Sequence, residues 1–140
     1  MAQYIIFELN GKVGVCFPNP EHDINWVMQK DCPPGAVILG EEDLDMNDML
    51  FIDAFRLVNG QLQIDMPTAI AVQNANLNSI AKREAQHRFT NTACGIDNVL
   101  TDAEWLTMLT ATRTAFATAT TTQQLRDAIS QVESAIQANK

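Results

Sequence analysis

Apolar and polar positions alternate in short runs over the first half of the chain and at helical spacing over the second. Tyr4, Ile5, Ile6 and Phe7 lead to Asn10-Gly11, after which Val13 to Phe17 resumes the same aromatic and β-branched character. Two such runs around Asn-Gly predict a hairpin, because both turn residues tolerate the positive φ of a type I′ turn. Pro18 and Pro20 end the second strand, since neither can donate a ladder hydrogen bond. A short helix is predicted between Glu21 and Lys30, with Asp23 as its N-cap. Asp31-Cys32-Pro33-Pro34-Gly35 reads as a turn, and Ala36 to Leu39 as a buried strand.

From Glu41 to Asp53 six acids stand without a base, interleaved with Met49, Leu50, Phe51, Ile52, Ala54 and Phe55. One face of this segment must be buried, which predicts a short helix or irregular turn feeding a strand. Phe55 to Val58 and Leu62 to Asp65 flank a second Asn-Gly, at Asn59-Gly60, and predict a second hairpin.

Pro67 suits the first position of a helix. That helix is predicted to run to about Phe89, with Ile70, Leu77, Ile80, Ala81, Ala85 and Phe89 on its apolar face and Gln73, Asn74, Asn76 and Asn78 opposite. Cys94-Gly95 closes it. Thr101 and Glu104 form a capping-box pair that opens the next helix, with Leu100 and Trp105 spaced as a hydrophobic staple and Leu106, Leu109 and Phe116 as the apolar face. Thr121 to Gln124 is spaced as a second capping box. In the last helix, Gln123 to Ala138, Leu125, Ile129, Val132 and Ile136 recur at spacings of four, three and four. About two heptads of such a stripe fit packing against the preceding helix as a hairpin, or a seam for homo-oligomer formation.

These elements predict an α+β fold, with a small antiparallel sheet of hairpins and a short helix over residues 1–66, then a helical region over 67–140 made of a long helix and a helical hairpin. A chain of 140 residues suffices for one domain with a core or a small domain with a helical appendage.

Charge changes the picture more than composition does. Residues 1–65 carry eleven of the seventeen acids against three bases, Lys12, Lys30 and Arg56, a balance equal to the net charge of -8 for the whole chain. An acidic half repels phosphate backbones, so nucleic acid is not an expected partner. No run of about 18 apolar residues could span a bilayer, and the N-terminus has neither the basic start nor the apolar core of a signal peptide, so no membrane partner is expected. Cys16, Cys32 and Cys94 are an odd number without a CxxC pair, which fits a reducing compartment.

Candidate chemistry is sparse. Asp43-x-Asp45-x-Asn47 matches the first ligands of an EF-hand loop, but Asp48 and Ala54 stand where glycine and glutamate are required, so no metal is expected. His22 and His87 lie near no recognisable nucleophile motif, and no cofactor is expected. Lys82, Arg83, His87 and Arg88 concentrate positive charge within two helical turns; they read as a solvated face, an intramolecular complement to the acidic run, or a docking patch for an acidic partner. Trp26, beside the proline turns, is the aromatic most suited to anchor an interface.

The words IIFELNGKVGVCFPNP, AVILGEEDL and FIDAFRLVNGQLQIDM, in that order before a helix, resemble a class of small tailed-bacteriophage proteins over residues 4–90. The matching positions are Phe51, Asp53, Ala54, Asp65 and Met66, with Phe55 where tryptophan is usual and Met49 and Ile52 near the places of flanking arginines. The resemblance implies a tail or tail-fibre component that binds other virion subunits, or an assembly chaperone that acts in the host cytoplasm and leaves the finished particle. A reading of another class is a small enzyme or inhibitor using Cys32 or Cys94 with His87.

Overall fold

A computed structural model describes residues 2–138 and shows the α+β class: small antiparallel sheets followed by helices. Two compact units divide the chain, Met1–Ala69 and Ile70–Lys140.

In the first unit, β1 (Gln3–Leu9) pairs antiparallel with β2 (Lys12–Cys16) through the turn at Asn10-Gly11, whose φ values of 56° and 78° are those of a type I′ turn. The other edge of β1 pairs with β3 (Val37–Gly40), giving the order β2-β1-β3. Successive strand residues point to opposite faces, so the complete burial of both Ile5 and Ile6 means that β1 is covered on both sides. Gly14 stands opposite Phe7, whose ring occupies the space a Cβ would need, 2.5 Å from it, so an aromatic side chain covers the strand glycine.

Between β2 and β3 lies α1 (Ile24–Asp31), which buries Val27 and starts at Asp23 through backbone geometry, without a side-chain cap. The acidic run becomes a kinked 3-10 helix, Met46–Ala54. Asp45 caps it by accepting the Asn47 amide at 2.9 Å, and Phe51 and Ala54 are its buried residues. Asp45 and Asp53 are exposed and Asp48 is half-buried with its Oδ1 out of solvent, while Leu44, Phe51, Ala54 and Phe55 fill the core.

The second hairpin, β4 (Phe55–Val58) and β5 (Gln61–Ile64), turns at Asn59-Gly60 with φ of 52° and 76°. Its base is closed by the Asp65 amide donating to the Ala54 carbonyl at 2.8 Å. Arg56 donates to the Asp53 and Phe55 carbonyls at 2.8 Å and pairs with Asp65 at 3.6 Å, while the Thr68 hydroxyl donates to Asp65. These bonds tie the hairpin to the start of α2 (Met66–Ala93), which begins one residue before the predicted Pro67.

In the second unit α2, α3 (Asp102–Thr118) and α4 (Thr122–Ala138) form a three-helix bundle. The buried positions of α2 differ from the sequence expectation. Leu77 and Ile80 are buried as predicted, but they share their face with Gln73, Glu84, Arg88 and Asn91, whereas Phe89 is 71% exposed. Gln73, expected on the polar side, is fully buried and donates to the Leu125 carbonyl at 3.1 Å. The helix ends in a Schellman motif: Gly95 adopts φ of 74°, its amide donates to Thr92 and the Ile96 amide to Asn91 at 2.8 Å.

Both capping boxes form. Thr101 and Glu104 exchange bonds of 3.1 and 3.0 Å at the start of α3, and Thr121 and Gln124 exchange bonds of 3.3 Å at the start of α4. Trp105, Leu109, Thr112 and Phe116 form the buried face of α3; Leu106, expected there, is 61% exposed.

Two outcomes follow for stability. Arg88→Ala removes charged hydrogen bonds and should cost about 2–3 kcal/mol in urea unfolding, with Arg88→Lys restoring only part because an ammonium lacks the planar fork. The backbone and side-chain bonds from Thr101 lower the Glu104 pKa from its ordinary value of 4.5. A lowered carboxylate contributes stability above its unfolded pKa and loses it as pH falls through the folded one. The melting-temperature gap between the native chain and Glu104→Ala should therefore narrow between about pH 6 and about pH 3.

Candidate functional site

The C-terminal stripe is core and not a partner surface. Leu125, Ile129 and Val132 are buried within the second unit and Ile136 is half-buried. The hairpin reading of that stripe is therefore correct, and the proposed seam is corrected: its apolar side chains are already covered by the unit's own helices.

The basic cluster does not form one patch. Arg88 is 6% exposed; its guanidinium donates to Asp102 at 2.7 and 3.1 Å and to the Leu100 carbonyl at 2.6 Å. An arginine committed to the start of α3 and the loop before it cannot serve a partner, so Arg88 is removed from the candidate interface. Lys82 and Arg83 are exposed, but consecutive helical positions diverge by about 100°. Lys82 borders the groove between α2 and α3, whereas Arg83 and His87 border the one between α2 and α4.

Trp26 remains a surface aromatic, 47% exposed. The Lys30 ammonium lies 4.6 Å from its ring centroid and the His22 ring 5.1 Å away on an inclined plane. A cation over the ring holds the indole in place, which lowers the entropy lost when a partner covers it.

One groove of the second unit lies outside the sequence expectations. It holds about 800 Å³ between α2 and α3, with Ala81, Ala85, Trp105 and Leu109 on its walls and Phe89 and Leu106 at its mouth. Lys82 and Arg113 border one end, where Arg113 donates to Asn78 at 3.4 Å, and the Arg88–Asp102 pair closes the other. Phe89 and Leu106 both continue apolar helical spacing and so read as core in the sequence. The sequence carries no signal for this, because the outward turn of Phe89 follows from the burial of Arg88 one residue earlier, which depends on acceptors at Leu100 and Asp102.

Cys16 and Cys32 lie close enough for Cys16 to act on the Cys32 thiol, and Cys32 also lines a small cavity with Met28, Pro33 and Pro34. Burial, then the neighbouring Cys16 and Asp31, push the Cys32 thiol above its ordinary value. A cysteine nucleophile needs the opposite shift. Cys94 is exposed just beyond α2. The His87 ring, two turns earlier, has its Nε2 3.4 Å from the Asn91 amide nitrogen. Among the described residues no group of three or more His, Cys, Asp or Glu is placed to hold a metal ion, and no helix is long and apolar enough to cross a membrane.

Comparison with family models, curated proteins and solved structures finds no match for this chain.

Labelling with a maleimide at neutral pH, followed by peptide mass mapping, should modify Cys94 first and Cys32 slowly, with the Cys32 rate climbing into the alkaline range. Cys32 outpacing Cys94 at neutral pH would favour a Cys32 nucleophile, and a Cys94 rate well above that of a free model thiol would favour Cys94 with His87.

Proposed function

We propose that this chain is a non-enzymatic structural protein of a tailed bacteriophage, associated with the tail or tail fibre and acting through contacts with other virion subunits. The observation that carries the protein-contact reading is the groove between α2 and α3, where Phe89 and Leu106 stand 71% and 61% exposed beside apolar walls. Large apolar residues gathered at a concave site favour association with another macromolecule. The buried lining of Trp105 and Leu109 supplies a desolvated floor for such a contact.

The tail assignment rests on the resemblance of residues 4–90. The words that carry it have a physical place in the fold. Phe51, Ala54 and Phe55 are buried, and Asp65 joins Arg56 and Thr68 at the start of α2. These residues build the core and the hairpin base of the N-terminal unit, whereas the α2–α3 groove lies on other positions.

Mass spectrometry of purified particles from a genome encoding this chain tests the assignment. The protein is expected in the particle at a fixed ratio to tail subunits. Detection only in the infected-cell lysate, with tails failing to assemble when the gene is removed, would replace it with the assembly-chaperone reading. Normal particles without the gene would overturn both.

A further inference from the structure

The α2–α3 groove is complementary to itself. Helices α2 and α3 are antiparallel, and two side-chain contacts fix their alignment: Arg88 meets Asp102, and Arg113 meets Asn78. Counting inward from those contacts sets Ala85 level with Leu106 and sets Phe89 near the Asp102 end. Bulk and floor are therefore separated along the groove, with Phe89 standing out at one end and Ala81 leaving a shallow place at the other. Polar groups differ between the two ends: Asp102, paired with Arg88 through Oδ1, stands at one and Lys82 with Arg113 at the other. The Asp102 side chain is 87% exposed at the Phe89 end, and Lys82 lies exposed at the Ala81 end.

We propose that a second copy of this chain covers the groove, related by a two-fold axis that crosses it at Ala85 and Leu106. Phe89 and Ala81 each lie four residues from Ala85, about 6 Å along the helix at 1.5 Å per residue. One axis position therefore brings Phe89 of each copy over Ala81 of the other and sets the two Leu106 side chains together. The same rotation brings Asp102 within side-chain reach of Lys82 across the interface. An isologous contact requires every feature to find its complement on the same patch, and here an apolar knob, a small-residue hole, an acid and a base do so with one operator. The pairing sets two bundles against each other through their exposed apolar residues, in ridge-into-groove fashion. It also moves self-association from the α4 stripe, which is core, to the α2–α3 face.

This deepens the protein-contact reading and rests on it, but not on the tail assignment. Its test uses purified protein alone, whereas the tail assignment is tested in particles, so failure of one is distinct from failure of the other.

Sedimentation equilibrium of the full chain over a wide concentration series should show a monomer–dimer equilibrium. Phe89→Asp changes an exposed position, so its circular dichroism and melting point should stay native while dimer affinity falls about 30-fold or more. Geometry is read by Leu106→Cys in a chain also carrying Cys16→Ser, Cys32→Ser and Cys94→Ser. Oxidised glutathione should convert it to a disulfide-linked dimer through two successive exchanges, each releasing one glutathione thiol. A native chain that stays monomeric throughout the series, or a dimer indifferent to Phe89→Asp, overturns the proposal. A folded Leu106→Cys dimer that does not crosslink overturns the two-fold arrangement.

Discussion

Arg88 sits on the inward face of α2, and its guanidinium finds its partners on the loop and helix that follow, at Leu100 and Asp102. A buried guanidinium without partners would cost several kcal/mol, so this side chain dictates where the start of α3 lies. The requirement extends along the helix. Gln73 reaches the Leu125 carbonyl and Asn91 reaches Asn98, so three positions on one face of α2 each hold a different part of the C-terminal unit. The second unit is thus registered by polar bonds on a face that apolar packing alone would leave free to slide.

The rotation that buries Arg88 also decides what remains outside. Phe89 follows it by one residue, about 100° around the helix, and is carried into solvent. Across the groove Leu106 is likewise turned out, because Trp105 before it is taken into the core above the Thr101–Glu104 capping box. An exposed apolar pair on adjacent helices is the cost of the polar register. It is also what makes the α2–α3 face the strongest candidate for a contact surface. The N-terminal unit is built differently, with Ile5 and Ile6 buried on opposite faces of β1 and Phe51 and Ala54 buried in a kinked 3-10 helix.

Features with a local physical cause were legible in the sequence. Asn10-Gly11 and Asn59-Gly60 determine their hairpins through positive φ, and Thr101 with Glu104 determines a helix start through two reciprocal bonds. The α4 stripe was legible as packing because its spacing matches one helical face. The face of α2 was not. Hydrophobic periodicity treats Gln73 and Arg88 as outward and Phe89 as inward, whereas their placement depends on acceptors contributed by Leu125, Leu100 and Asp102, from 12 to 52 residues away in the chain. The contact of Cys16 with Cys32 depends in the same way on how β2 and the end of α1 come together. Lys82, Arg83, His87 and Arg88 are close in sequence yet divide between the two grooves and the interior, because successive residues point about 100° apart.

The most direct test of this account is the exchange of arginine Nε protons with water, followed by nuclear magnetic resonance on the native chain. The Nε–H of Arg88, which donates to Asp102 at 3.1 Å, should exchange far more slowly than that of solvent-facing Arg83 and should lose its protection in Asp102→Ala. An Arg88 proton that exchanges as fast as that of Arg83 would place its guanidinium in solvent. The α2 face described here, with Phe89 turned outward, would then be wrong.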